Sequence, residues 1–209
     1  YLPEPSYARD DLAQKYAQKA KGLAPNNPIG YVALGRISAQ QEDWNQAEEY
    51  YQQAKKIERD VTDAYLGLSE VFEAHRDVDS VIEKLDEVIK IDTSYYYNVL
   101  IRKGNAYFSA RQFEEAEKLY QQAKKEAPDR IDAYIALGDL YSTLGSIYWT
   151  VGQSAKAEKF YQKAIDKAPD LADGYVALAT MYENREKWVH AIKTCKKALD
   201  KDVNNLKLL

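Results

Sequence analysis

The chain has 209 residues, 45% hydrophobic and 30% charged, with 29 Lys and Arg against 33 Asp and Glu for a net charge of −4. This composition excludes a disordered chain and a bilayer-embedded one, and the mild acidity excludes general affinity for nucleic acid phosphates. The single cysteine, Cys195, leaves no intramolecular disulfide and no cysteine-cluster metal site, and no run of about 18 apolar residues exists to span a membrane.

Residues 1–9 lack the basic start and apolar run of a signal peptide. Tyr1 in place of an initiator Met, and the apolar ending Leu206-Lys207-Leu208-Leu209, read as a piece of a longer or processed protein. The piece is expected to be soluble, with a cytoplasmic address favoured over a periplasmic one. Residues 10–23 form a predicted helix with Leu12, Ala13, Tyr16, Ala17 and Ala20 on one stripe, closed by Gly22 and Pro25. With its following turn it makes a half repeat, 10–26. Five full units follow at 28–61, 62–95, 97–130, 131–171 and 172–205, each two helices of roughly 14 residues joined by a polar turn. Residues 206–209 would start a further helix.

The units are defined by a motif that recurs about every 34 residues. Tyr31-x-x-Leu34-Gly35 is echoed by Tyr65-x-x-Leu68-Ser69, Tyr134-x-x-Leu137-Gly138 and Tyr175-x-x-Leu178-Ala179. Each opening is answered by Ala-x-x-x-Tyr-x-x-Ala, as in Ala47, Tyr51 and Ala54 or Ala116, Tyr120 and Ala123. The turns fall at Gln41-Glu42-Asp43, Arg76-Asp77, Arg111-Gln112, Gly152-Gln153 and Arg185-Glu186-Lys187, and Pro128 and Pro169 end two of the second helices. A fixed period of this length implies one supersecondary unit stacked on copies of itself.

Two units depart from the pattern. In the second, Val81, Leu85 and Val88 replace Ala, Tyr and Ala, and the unusual run Tyr95-Tyr96-Tyr97 follows. Packing at an imperfect junction or a partner site would each account for that run. The fourth unit carries seven additional residues that copy the motif as Tyr141-x-x-Leu144-Gly145-x-x-Tyr148. Seven residues are close to two helical turns, so the apolar stripe keeps its direction. The expectation is a longer first helix, 131–150, with the turn at Gly152-Gln153; the alternative puts the turn at Leu144-Gly145-Ser146.

The pattern resembles the tetratricopeptide repeat family over nearly the whole chain. The resemblance implies an all-α fold: one right-handed superhelical solenoid of antiparallel helix pairs spanning 1–209. Gly35, Gly104 and Gly138, with Ala47, Ala116 and Ala191, would allow close helix approach, while Tyr31, Tyr51, Tyr65 and Tyr120 would fill gaps between hairpins. Eleven tyrosines (31, 51, 65, 107, 120, 134, 141, 148, 161, 175 and 182) occupy repeat core positions. Cys195 takes the place of Tyr51, Tyr120 and Tyr161 and is expected to be a buried, inert thiol.

The family also implies a concave face lined by first helices. Its outward positions here are Arg36, Glu70, Asn105, Asp139, Ser146 and Thr180, flanked by Asp63, Glu73, Arg102, Asp132, Asp173 and Glu183. Seven of these are acidic and two basic, against 26 acidic and 27 basic elsewhere. An ordinary solvated helix face is the competing account of that bias. The Lys and Asn set of family members that clamp chaperone C-terminal carboxylates is absent, since only Arg102 fits. The Asn ladder of glycosyltransferase-linked arrays is absent too.

No nucleophile motif, phosphate loop or His-pair metal signature occurs, and His75 and His190 read as solvated. The expected function is therefore a non-enzymatic scaffold without cofactor or metal. It would recruit a protein or peptide, one with a basic segment, through the groove and the solenoid ends, as a subunit or assembly factor of a larger complex. Self-association through the ends is a further expectation; nucleic acid binding and membrane insertion are not expected. The competing reading is a regulatory or substrate-docking arm of an enzyme whose catalytic domain lies outside these residues.

Overall fold

The structure, a computed structural model, describes residues 6–148 and 151–200. Eleven α-helices and one short 3-10 turn make up the described residues, which contain no strand. In chain order the helices are α1 (Ser6–Leu23), α2 (Pro28–Gln40), α3 (Trp44–Ile57), α4 (Thr62–Ala74), α5 (Val78–Ile91), α6 (Tyr96–Ser109), α7 (Phe113–Glu126), α8 (Asp132–Ile147), α9 (Val151–Lys167), α10 (Ala172–Glu183) and α11 (Trp188–Leu199), with the 3-10 turn at Thr93–Tyr95. They divide into two compact units, residues 1–99 and 100–209.

Local chemistry starts several helices. Asn27 Oδ1 accepts from the Ile29 amide at 2.9 Å ahead of Pro28, and Asp43 and Asp77 accept from the Gln46 and Ser80 amides at 3.1 Å. Each bond satisfies an amide that the first turn leaves unpaired. The Ser80 hydrogen bonds also hold the Asp77 carboxyl below the usual carboxylate range.

The turns within hairpins share a geometry that composition did not advertise. Glu42, Arg76, Arg111 and Glu186 have φ of 59°, 59°, 61° and 57°, the left-handed region. In each turn the next amide donates to the carbonyl five residues back: Asp43 to Ser38, Asp77 to Phe72, Gln112 to Tyr107 and Lys187 to Tyr182, at 2.8–3.0 Å. This closes the preceding helix, and glycine is the usual residue for it. A side chain there costs about 1–2 kcal/mol. Arg111→Gly should therefore raise stability by about 1 kcal/mol. Conversely, Gly152 lies inside α9, and a Cβ built on it meets nothing within 4 Å. Gly152→Ala should also stabilise, by roughly 0.5–1 kcal/mol through helix propensity. Denaturant midpoints for the two single variants check both signs; a fall in either would overturn its argument.

In the first unit the core is organised around Tyr51, which α3 places between α2 and α4. A Cβ on Gly35 would sit 2.7 Å from the Tyr51 ring, and one on Gly67 only 2.2 Å from it. Ala47, Ala54, Leu68 and Val71 are fully buried around the ring. In α5, Val81, Leu85 and Val88 are buried as well, so the divergent unit keeps its apolar stripe with different shapes. Tyr97 is buried, and Tyr95 and Tyr96 are half-buried. The expected stripe on α1 is corrected: only Ala17 is buried, while Leu12 and Tyr16 are 48% and 62% exposed. α1 packs on α2 through the close approach of Gly30 to the Lys21 backbone, 2.8 Å from a built Cβ.

In the second unit Tyr120 and Tyr161 repeat the role of Tyr51, under Gly104 and Gly138 with built Cβ distances of 2.3 and 2.4 Å. The added seven residues are placed differently from either sequence expectation. Leu144, Gly145 and Ser146 are helical in α8, and Gly152 and Gln153 are helical in α9, so both helices lengthen, to 16 and 17 residues. The reason is steric. A Cβ on Gly145 would lie 2.6 Å from Ser154 Oγ and 3.2 Å from its amide nitrogen, and Ser154 is buried. The copied glycine thus supplies a second close crossing, and the hairpin grows as a pair instead of one helix protruding alone. Tyr148, expected in the core, is 63% exposed beyond that crossing.

Candidate functional site

The second unit holds a groove of about 350 Å³ across its first helices α6, α8 and α10. Its floor is Ile101, Ile135, Ala136, Val176 and Ala177, and its polar lining is Asn105, Asp132, Asp139 and Asp173. Ala136 and Ala177 keep that floor shallow and apolar. Three carboxylates line the groove, and Arg130 Nε pairs with one of them, Asp132, at 3.2 Å.

Of the positions named from sequence, the structure brings Asn105, Asp132, Asp139 and Asp173 around this one depression. Arg102 is half-buried on α6, and Thr180 is exposed on α10 outside the lining. Glu183 lies instead in a separate depression between α10 and α11. Ser146 is exposed, its hydroxyl donating to the Ser142 carbonyl at 3.1 Å. In the first unit Arg36, Asp63, Glu70 and Glu73 are all exposed. Arg36 and Asp63 approach to 3.7 Å with side chains 61% and 55% exposed, a contact worth little in water.

The groove has members that the sequence reading placed only in the core. Tyr120 and Tyr161 bury their rings and send their hydroxyls through to the first helices. Tyr120 donates to Asn105 Oδ1 and Tyr161 to Asp139 Oδ1, both at 2.8 Å. Burial pushes both phenols well above their ordinary range, with the Asp139 charge adding to it. In the first unit burial, then the Glu70 charge, pushes Tyr51 up to about 12. Asp139 keeps contact with solvent, yet the surrounding protein raises its carboxyl above the usual carboxylate range, against the lowering effect of the Tyr161 bond. A regular offset signals these pairs: Asn105 and Asp139 each follow the glycine that covers the donating ring.

A second set of tyrosines ties hairpins together. Tyr141 of α8 donates to Glu117 of α7 at 2.5 Å, and Tyr182 of α10 to Glu158 of α9. Burial, then Glu158, pushes Tyr182 up to about 12.

Elsewhere the chemistry is sparse. Among the described residues no group of three or more His, Cys, Asp or Glu is placed to hold a metal ion, and no helix is long and apolar enough to cross a membrane. His75 and His190 are exposed. Cys195 is half-buried, not enclosed as expected, because no further helix among the described residues covers its face of α11.

Comparison with known proteins places this architecture. Tetratricopeptide repeat family models match residues 95–170, 31–65 and 175–207, together more than half of the chain. No curated protein matches in sequence. Among solved structures the chain is similar to PilW, described as a widely conserved type IV pilus biogenesis factor, at 17% identity over 97% of this chain and 92% of that one, TM-score 0.70. It is similar to a thermophilic tetratricopeptide repeat protein of Thermus thermophilus, at 21% identity over 84% and 92%, TM-score 0.65. It is also similar to YrrB, described as having an unusual peptide-binding site, at 15% identity over 94% and 97%, TM-score 0.56. At these identities the likeness is one of fold.

Proposed function

Because the chain belongs to the tetratricopeptide repeat family, we propose that it is a non-enzymatic scaffold that recruits a protein segment carrying Lys or Arg into the groove across α6, α8 and α10. The observation that carries this reading is the lining itself: three carboxylates around an apolar floor, of which Asp132 already pairs with Arg130 Nε at 3.2 Å, so that Asp139 and Asp173 are the ones offered to a cation. An extended peptide alternates the direction of its side chains, so one row can place methyl groups on Ile101, Ile135 and Val176 while the next presents cations to Asp139 and Asp173. The tyrosine hydroxyls hold Asn105 and Asp139 in place before a partner arrives, which lowers the ordering cost of binding. The raised carboxyl of Asp139 adds to the attraction, because a cation relieves the cost of keeping that group ionised.

A fluorescent peptide alternating Lys and Val serves as the probe. It should bind more weakly as salt rises, since these carboxylates face solvent. Asp173→Lys should weaken it about tenfold, and Asp132→Lys combined with Asp173→Lys further still. Affinity unchanged by the double variant, or equal affinity for a peptide alternating Glu and Val, would overturn the proposal.

A further inference from the structure

The repeats of this chain show what normally covers a second helix. On α3, Trp44 packs in one cluster with Leu68 and Phe72 of α4, the Tyr51 ring faces Gly67, and the Lys55 ammonium lies 4.3 Å from the Tyr65 ring centre. On α7 and α9, Glu117 and Glu158 receive the hydroxyls of Tyr141 and Tyr182 from the first helix that follows. The counterparts on α11, counted from Ala191, are Trp188, Ile192, Cys195 and Leu199. They line a depression of about 350 Å³ with Ala179 and Glu183 of α10 and Lys196 of α11, and Trp188, Ile192 and Leu199 are 55%, 57% and 47% exposed.

This face differs from the internal ones in ways that specify its occupant. Ile192 replaces the glutamate that takes a tyrosine hydroxyl, so the occupant needs an apolar side chain at that contact. Cys195 replaces the tyrosine ring that forces Gly67 to be glycine, so a larger residue fits opposite it. Charge adds a third constraint. From Trp188 to Leu199 the helix carries Lys193, Lys196 and Lys197 and no carboxylate, so its lysines outnumber Glu183, the one carboxylate that lines the depression. Of the first helices, α2 and α6 carry Arg36, Arg102 and Lys103 and no acid, while α4, α8 and α10 are acidic and hold no base, and it is the acidic kind that complements the lysines of α11. Those three carry Asp63, Glu70 and Glu73, then Asp132 and Asp139, then Asp173 and Glu183. We infer that the α10–α11 face is a docking site for an acid-flanked amphipathic helix of a partner protein, laid down as the first helix of a following hairpin. The site is separate from the groove and stands whether or not the groove takes a basic peptide.

The test uses the intact 209-residue chain and a labelled peptide of residues 62–74, the helix that covers α3. Anisotropy titrations at low salt should show saturable binding, lost on Ile192→Glu, a substitution at an exposed position that restores the internal glutamate. Replacing Asp63, Glu70 and Glu73 of the peptide by Lys should weaken binding about tenfold. Within the peptide, Gly67→Leu should bind about tenfold tighter than Gly67→Ala, because only leucine fills the space over Cys195 while both favour helix. Several results would overturn the inference. Binding indifferent to Ile192→Glu places the peptide elsewhere. Concentration-dependent self-association abolished by Ile192→Glu makes a second copy the occupant. Binding that appears only after removal of residues 201–209 makes the chain's own tail the occupant.

Discussion

Gly67→Ala is expected to be among the most damaging single-atom additions in the chain, lowering stability by about 1–3 kcal/mol or more. The added methyl would stand 2.2 Å from the Tyr51 ring, whose retreat is limited because Gly35 of α2 crowds the same Cε1–Cζ edge, with a built Cβ at 2.7 Å. Either α4 moves away from α3 or the ring leaves its slot, and in both cases Leu68 and Val71 lose their packing. Helix propensity pulls the other way, since Ala exceeds Gly by about 1 kcal/mol inside a helix. A net loss is therefore a lower bound on the steric term. Removing the ring should remove the conflict: Tyr51→Leu costs stability by itself, yet Gly67→Ala should then become neutral or favourable. A double-mutant cycle on denaturant midpoints reads this coupling directly. Additive effects would show that Gly67 is not held small by Tyr51.

The close approach at Gly35 is legible in the repeat period, whereas that at Gly67 is not, because Gly67 falls outside the recurring Tyr-x-x-Leu-Gly motif. The 34-residue recurrence of Tyr31, Leu34 and Gly35 with Ala47, Tyr51 and Ala54 constrains helix type and pairing, because each member faces the same neighbour in every copy. The seven-residue addition breaks that logic. It preserves the apolar stripe on whichever helix receives it, so periodicity alone could not divide it; the crossing of Gly145 with Ser154 does, and that contact involves two helices. Tyr148 and Cys195 occupy core places in the pattern but not in space, since burial requires a neighbour on the far side. The left-handed turn residues were hidden for another reason: Glu42, Arg76, Arg111 and Glu186 are not residue types that announce a positive φ. At the groove, the outward positions of the first helices could be counted from sequence. Which of them share one depression could not, and Glu183 went to the α11 face while Asp132 and Asp173 joined Asp139. The tyrosine hydroxyls escaped because a core aromatic was read by its ring, and its oxygen reaches the opposite surface.

Those hydroxyls lead to the second large effect. Tyr161→Ala should cost about 3–5 kcal/mol, the usual loss for emptying a buried aromatic site. Tyr161→Phe keeps the ring under Gly138 and removes the hydroxyl with its bonds to Asp139 and Ser142, so it should cost about 1 kcal/mol near neutral pH. The pH dependence separates the two roles of the residue. Burial raises the Asp139 carboxyl in the folded state, so the unfolded chain releases its proton at lower pH than the folded one. Stability from this group is present below the unfolded value of about 3.9 and is lost as pH rises through the folded value. The Tyr161 hydroxyl limits that loss by stabilising the ionised form. Without it the folded carboxyl rises further, so Tyr161→Phe should be more harmful at pH 7 than at pH 4. Asp139→Asn supplies the complementary measurement. Asparagine can still accept from Tyr161, as Asn105 does from Tyr120, and it has no proton to exchange. The variant should be more stable than the parent near pH 7, and in its background the cost of Tyr161→Phe should become the same at both pH values. Denaturant titrations of the four proteins at pH 4 and pH 7 decide the matter. A cost for Tyr161→Phe that is equal at both pH values in the parent would mean that the hydroxyl serves packing alone and that Asp139 ionises without its help.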